Sequence, residues 1–70
     1  MTTKVKKIDL QAIQELREKK GITKSEMARL MGFKTTEKYS RREKGEYNFQ
    51  VDELPLMASI LNVSIKNFFA

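Results

Sequence analysis

Apolar residues recur along the chain at helical spacing, interrupted at short intervals by capping residues and glycines. Leu10, Ile13 and Leu16 follow Asp9 on one face, and the run stops at Gly21 after Lys19 and Lys20. Asp9 is a suitable N-cap because its carboxylate can accept from an amide that the first turn leaves unpaired. The stretch "ITKSEMARLMG" predicts a second helix over Lys24–Met31. Thr23 and Glu26 have the spacing of a capping box, Met27, Ala28, Leu30 and Met31 supply the buried face, and Gly32 is the left-handed stop. A third helix is predicted from Thr36 to Lys44, after Thr35 and before Gly45. A fourth covers about Asp52 to Leu61, with Leu54, Met57, Ala58 and Leu61 at helical spacing. The last, "SIKNFF", takes Ser64 as its N-cap.

Three pairs of apolar residues support these boundaries. Ile8 with Ile13, Ile22 with Met27, and Val63 with Phe68 each flank a proposed N-cap at the N′ and N4 positions of a hydrophobic staple. No run alternates as a strand would, and no Asn-Gly or Asp-Gly hairpin turn occurs. The expectation is an all-α domain of five helices. Pro55 lacks an amide donor and fits only a first turn. Either the fourth helix begins near Leu54, or it starts at Asp52 with one hydrogen bond missing.

Seventy residues make one small domain of modest stability. With no Cys and no His, disulfides, zinc fingers, thiol nucleophiles and imidazole bases are all excluded. The start, MTTKVKKIDL, has no apolar run behind its lysines, so no signal peptide is expected, and no segment has the length of a membrane span. Charge divides the chain unevenly. Residues 1–49 carry 13 Lys and Arg against 7 Asp and Glu, whereas residues 50–70 carry 1 Lys against 2 acids. A basic body on a near-neutral apolar tail points to a polyanionic partner. Residues 1–7, with Lys4, Lys6 and Lys7, read as a mobile basic arm, and residues 8–70 as the folded domain.

Two short helices joined through Gly32-Phe33-Lys34-Thr35 are expected to cross at a steep angle. The second of them has one clearly apolar residue, Tyr39, and is otherwise covered by Thr36, Glu37, Lys38, Ser40, Arg41 and Lys44. A helix anchored along so narrow an edge projects from the body, and its diameter suits the major groove of duplex DNA.

"ITKSEMARLMG…TTEKYSRREKG…VDELPLMASILNVSIKNFF" resembles the helix-turn-helix domain of phage repressor and Cro proteins, the XRE family. Thr23, Glu26, Met27, Ala28 and Gly32 match its first motif, Glu43 and Gly45 its second, and Leu61, Val63 and Ser64 its third. Asn62 replaces a glycine there, and Asn is the usual substitute at a left-handed C-cap. The resemblance covers about residues 8–69. The connection between helices two and three is one residue longer than the common form, and Lys24 replaces a Gln. Arg42 falls where the family has an inward apolar residue. Either its stem packs along Phe33 or Phe49 with the head reaching solvent, or helix three is rotated.

The resemblance implies a lambda-repressor-like, sequence-specific double-stranded DNA-binding regulator, acting as a homodimer with the recognition helix Thr36–Lys44 in the major groove. It implies base reading by Thr35, Thr36, Glu37, Lys38 and Arg41, and phosphate contacts from Thr23, Lys24, Lys34, Lys44, Tyr47 and Asn48. For Arg41 the plain alternative is a surface ion pair with Glu37, four residues earlier. Phe68 and Phe69 point in directions about 100° apart on a helix, so one can fill the core and the other can meet a second copy. No catalytic residue, metal site, cofactor or small-molecule ligand is expected. The setting implied is the cytoplasm of a bacterial or phage-infected cell, in association with the nucleoid. A protein-interaction module on the same scaffold, of antitoxin or anti-repressor type, is the second reading.

Overall fold

The computed structural model describes residues 7–69. Of the basic arm, Lys4 and Lys6 lie outside these, as does Ala70. Four α-helices follow one another: α1 (Leu10–Lys19), α2 (Lys24–Leu30), α3 (Thr36–Glu43) and α4 (Glu53–Leu61). The expected fifth helix is a single 3-10 turn, Ile65–Phe68, and Ser64 makes no side-chain cap bond to it. Among the described residues there is no β-strand beyond one isolated antiparallel bridge between Ile8 and Phe69. The Asp9 amide donates to the Phe68 carbonyl at 2.7 Å, which joins the two ends of the described chain.

The helix starts follow the local chemistry. The Asp9 carboxylate accepts from the Ala12 amide. Thr23 and Glu26 form the reciprocal capping box, and the Thr35 hydroxyl accepts from the Lys38 amide. Asp52 precedes α4 without capping it through its side chain. Instead the Glu53 carboxylate reaches back to the Gln50 amide at 2.8 Å. Pro55 is then the third residue of α4, in the first turn, where its missing N–H leaves no intrahelical acceptor without a donor. Asn62 is left-handed at φ 57° and ψ 47°, as its place after α4 requires.

Ten hydrophobic residues form the buried core: Ile13, Met27, Ala28, Met31, Tyr39, Phe49, Met57, Ala58, Leu61 and Phe68. The N4 residues of all three staples, Ile13, Met27 and Phe68, are fully buried, and Ile8, Ile22 and Val63 pack against the same cluster. Each such apolar side chain stabilises the fold by roughly 1.5–3 kcal/mol relative to exposure. The Tyr39 and Phe49 rings meet edge to face at 6.2 Å between centroids. Helix α3 packs chiefly on α2 and touches α1, so its orientation is set by these two neighbours.

Candidate nucleic-acid interface

Helix α3 presents two unlike faces. Its inward edge is Tyr39 and Glu43, four residues apart, and both are buried. Glu43 receives two hydrogen bonds from Arg17 of α1, Nε to Oε2 at 2.8 Å and Nη2 to Oε1 at 3.1 Å. The Tyr39 hydroxyl donates to Glu43 Oε2 at 2.5 Å. Arg17 also donates to the Ile22 carbonyl at 2.7 Å, so the guanidinium ties α1, the α1–α2 turn and α3 together. Among the described residues no buried side-chain nitrogen or oxygen lacks a partner. Burial works to raise the Glu43 carboxyl, but hydrogen bonds from Arg17 and Tyr39 and the guanidinium's charge outweigh it, and the group is held below the usual carboxylate range. Burial, and then donation to Glu43, push the Tyr39 phenol well above its ordinary value.

This inner cluster fixes the rotation of α3 about its own axis, and thereby what the outer face offers. Thr35, Thr36, Glu37 and Lys38 are all exposed at the helix start. Arg41 follows one turn later, its side chain 41% exposed, paired with Glu37 at 3.2 Å and with Glu46 at 4.0 Å. Gly45, at φ +87°, reverses the chain after α3, and a β-carbon there would stand 3.2 Å from Leu10 Cδ1. The reversal lets the Arg41 carbonyl accept from both the Glu46 and Tyr47 amides. It brings the Tyr47 ring to 5.6 Å from the Arg41 guanidinium. The hydrogen bond to Glu37 and the charge of that carboxylate hold the Arg41 guanidinium more firmly protonated than usual.

Arg42 takes a third position. Its guanidinium lies over the Phe33 ring at 4.5 Å, donates to Glu53 at 3.0 Å and to the Lys38 carbonyl at 2.8 Å. Phe33 is met as one of the two expectations held, but by the guanidinium head rather than the stem, and Glu53 keeps that head instead of leaving it to solvent.

The residues expected to meet phosphate are spread around this face. Lys34, Lys44, Tyr47 and Asn48 are exposed and Lys24 is half-buried. Lys34, Thr35 and Thr36 line one shallow groove. Tyr47 and Asn48 line another beside Lys7, the one lysine of the basic arm within the described residues. Thr23 is exposed, but its amide and hydroxyl both donate to Glu26 Oε1, at 3.0 and 3.3 Å. Those two bonds, the backbone one first, hold the Glu26 carboxyl below its usual value. Thr23 can reach a phosphate only by turning its hydroxyl away from that carboxylate.

Phe68 is 0% exposed and belongs to the core, so it offers no side-chain surface to a second copy. Phe69 is half-buried against that core. The large apolar side chains that do reach solvent are Leu30, Tyr47, Val51, Leu56 and Ile65. Sequence reasoning missed the Arg17–Glu43 pair. The available signal was position: Arg17 falls four residues after Ile13, as Glu43 does after Tyr39, so both charges sit on buried faces. Among the described residues no group of three or more His, Cys, Asp and Glu is placed to hold a metal ion, and no helix is long and apolar enough to cross a membrane.

A capped helix, a glycine turn and a second helix with one buried edge and one cationic polar face define a helix-turn-helix unit. The family model described as Helix-turn-helix matches residues 13–68. The chain belongs to this family, the XRE-type helix-turn-helix proteins, which are DNA-binding transcription regulators and not an enzyme family. No curated protein matches the chain.

Proposed function

We propose that this protein is a sequence-specific regulator of the phage repressor or Cro type that binds double-stranded DNA as a two-fold dimer. One α3 enters each of two successive major grooves, about 34 Å apart. The observation that carries this reading is the division of α3: Tyr39 and Glu43 hold it from beneath, and the four residues Thr35–Lys38 are exposed at its leading end. Base contacts in this docking geometry concentrate at that end.

Each residue then has a role its chemistry supports. Thr35, Thr36, Glu37, Lys38 and Arg41 read base edges. Thr hydroxyls and methyls meet several bases, Arg41 pairs with guanine, and Glu37 accepts from a cytosine amine while repelling misplaced phosphates. Lys24, Lys34, Lys44, Tyr47 and Asn48 track the backbone, with Thr23 contributing once its hydroxyl turns. Contact between two copies draws on Val51, Leu56, Ile65 and the exposed edge of Phe69, in the near-neutral part of the chain.

The test is a titration of the protein into fluorescent duplexes from the regions flanking its own gene, with a scrambled control, at low and moderate salt. Tight binding to one native fragment that persists as salt rises is the expected result. Equal binding to all fragments, collapsing with salt, would leave a polycation without a reading function. No binding to any duplex would favour the protein-partner reading.

A further inference from the structure

The shallow groove between α2 and the start of α3 has a lining unlike its surroundings. Its floor is Ala28 and Phe33, and its polar rim is Ser25, Arg29, Lys34, Thr35 and Thr36. Two cations and three hydroxyls face one depression, and no carboxylate lines it. The groove between α1 and the 3-10 turn, by contrast, sets Glu15 beside Lys19. Nothing in the helix-turn-helix assignment gives Ser25 or Arg29 a part.

The local sequence explains how the groove forms. Gly32, at φ +81°, ends α2 in the left-handed region, and the Phe33 amide returns to the Ala28 carbonyl at 2.9 Å. That turn lays Phe33 against the helix it has just left and carries Lys34 and Thr35 past its outer face. Ser25 and Arg29 are four residues apart, so both stand on that outer face, and both are exposed. Among the described residues Arg29 and Lys34 form no ion pair. The nearest acid in sequence to Arg29, Glu26, is already occupied by the Thr23 amide and hydroxyl. Arg41 differs sharply: the arginine of the recognition face carries two carboxylates with it.

We infer that this groove is a seat for one DNA backbone phosphate, with Arg29 of α2 as its principal cation and Lys34 and the Ser25 hydroxyl completing it. The inference rests on the DNA-binding reading above and adds to it. A guanidinium offers a planar fork of donors that matches phosphate oxygens, an ammonium adds a second charge, and a hydroxyl donates to an oxygen that remains. No carboxylate lines the rim, and the one that feels the charge of Arg29, Glu26, is turned to the Thr23 amide and hydroxyl. Helix α2 then anchors the register of α3 instead of merely supporting it, because a phosphate held at Arg29 fixes where Thr36 and Lys38 fall along the groove.

The seat makes a prediction that a base contact or a purely structural role would not. Arg29→Ala should weaken binding by the same factor, about three- to tenfold, on a duplex selected by the wild-type protein and on a scrambled one. The slope of log affinity against log salt should fall by about 0.9, the share of one phosphate. Arg29→Lys should restore the slope. Lys66→Ala, which removes an exposed cation from the 3-10 turn, should leave it unchanged. Thermal unfolding of each variant separates loss of contact from loss of fold. If the wild type binds and Arg29→Ala keeps both its affinity and its salt slope, the seat does not exist. If Arg29→Ala changes the ranking of sequences, Arg29 reads bases and the inference is wrong. If the wild type binds no duplex at any salt, the DNA-binding reading itself fails, and the seat fails with it.

Discussion

Two arginine–glutamate–tyrosine clusters lie on opposite sides of α3, and they do different work. Inside, Arg17, Glu43 and Tyr39 are buried, and the pair is bidentate. Outside, Arg41 meets Glu37 and Glu46 across solvent, with the Tyr47 ring alongside. The residue types are the same and the accessibility is not. In the interior, neither charge can be given up without stranding the other in a low-dielectric site, so the cluster acts as a fixed strut. On the surface, water and salt screen the same attraction, so the arginine can exchange a carboxylate for a nucleic-acid acceptor at little cost. One helix is thereby held rigidly on one side and left adaptable on the other.

The sharpest way to break this contrast is to remove one inner partner. Glu43→Ala leaves the buried Arg17 with only the Ile22 carbonyl and the more distant Glu18 carboxylate, at 3.8 Å, and should cost about 3–5 kcal/mol, a large share of what holds a domain this small together. Replacing the whole cluster, Arg17→Met and Glu43→Leu together with Tyr39→Phe so that no buried hydroxyl is left without an acceptor, should recover most of that loss in urea denaturation followed by circular dichroism. The inner cluster also contributes a pH dependence at each extreme. The Glu43 carboxyl is depressed in the fold, so its stabilisation is present above the unfolded value of about 4.3 and is lost as pH falls below it through the folded value. The Tyr39 phenol is raised, so its contribution is complete below about pH 10 and declines as pH rises beyond it. Tyr39→Phe should abolish that alkaline decline in the urea midpoint.

The outer cluster should respond in the opposite sense. Arg41→Ala should lower affinity for a selected duplex by roughly tenfold or more, while its urea midpoint stays within the range of ordinary surface substitutions. The half-buried Arg42–Glu53 pair lies between the two extremes, with side chains 14% and 16% exposed. Glu53→Ala removes both that partner and the acceptor for the Gln50 amide, and should cost about 1 kcal/mol, as loss of a helix cap does. The smallest change is Glu37→Gln. It frees Arg41 from one carboxylate and should raise affinity by a few-fold, more on scrambled than on selected DNA, with stability unaffected.

How much of this was legible in the sequence follows from the range of each interaction. The caps at Asp9, Thr23 and Thr35, the left-handed Asn62 and the staples at Ile13, Met27 and Phe68 depend on residues within five of each other, and all are found. The Arg17–Glu43 pair joins residues 26 apart: the spacing from Ile13 and Tyr39 places each charge on a buried face, but nothing local says that the two meet. Arg42 over Phe33 was half legible, because a long cation beside an aromatic ring is foreseeable but its clasp by Glu53 depends on where α4 starts. The fifth helix is one 3-10 turn, and Phe69, just after it, is extended and pairs with Ile8, a contact 61 residues away that no local pattern shows. The exposed face of α3 was legible because a single apolar residue in eight leaves little choice of side.

In the proposed function the outward face of α3 meets DNA while its inward face only holds the fold. The most direct test is amide chemical-shift mapping of the isotope-labelled protein as a selected duplex is added. The largest shifts are expected at Thr35, Thr36, Glu37, Lys38 and Arg41 and in the groove at Ser25, Arg29 and Lys34, with Arg17, Met57 and Leu61 quiet. Shifts concentrated on α4 and the 3-10 turn, with the start of α3 unmoved, would contradict it.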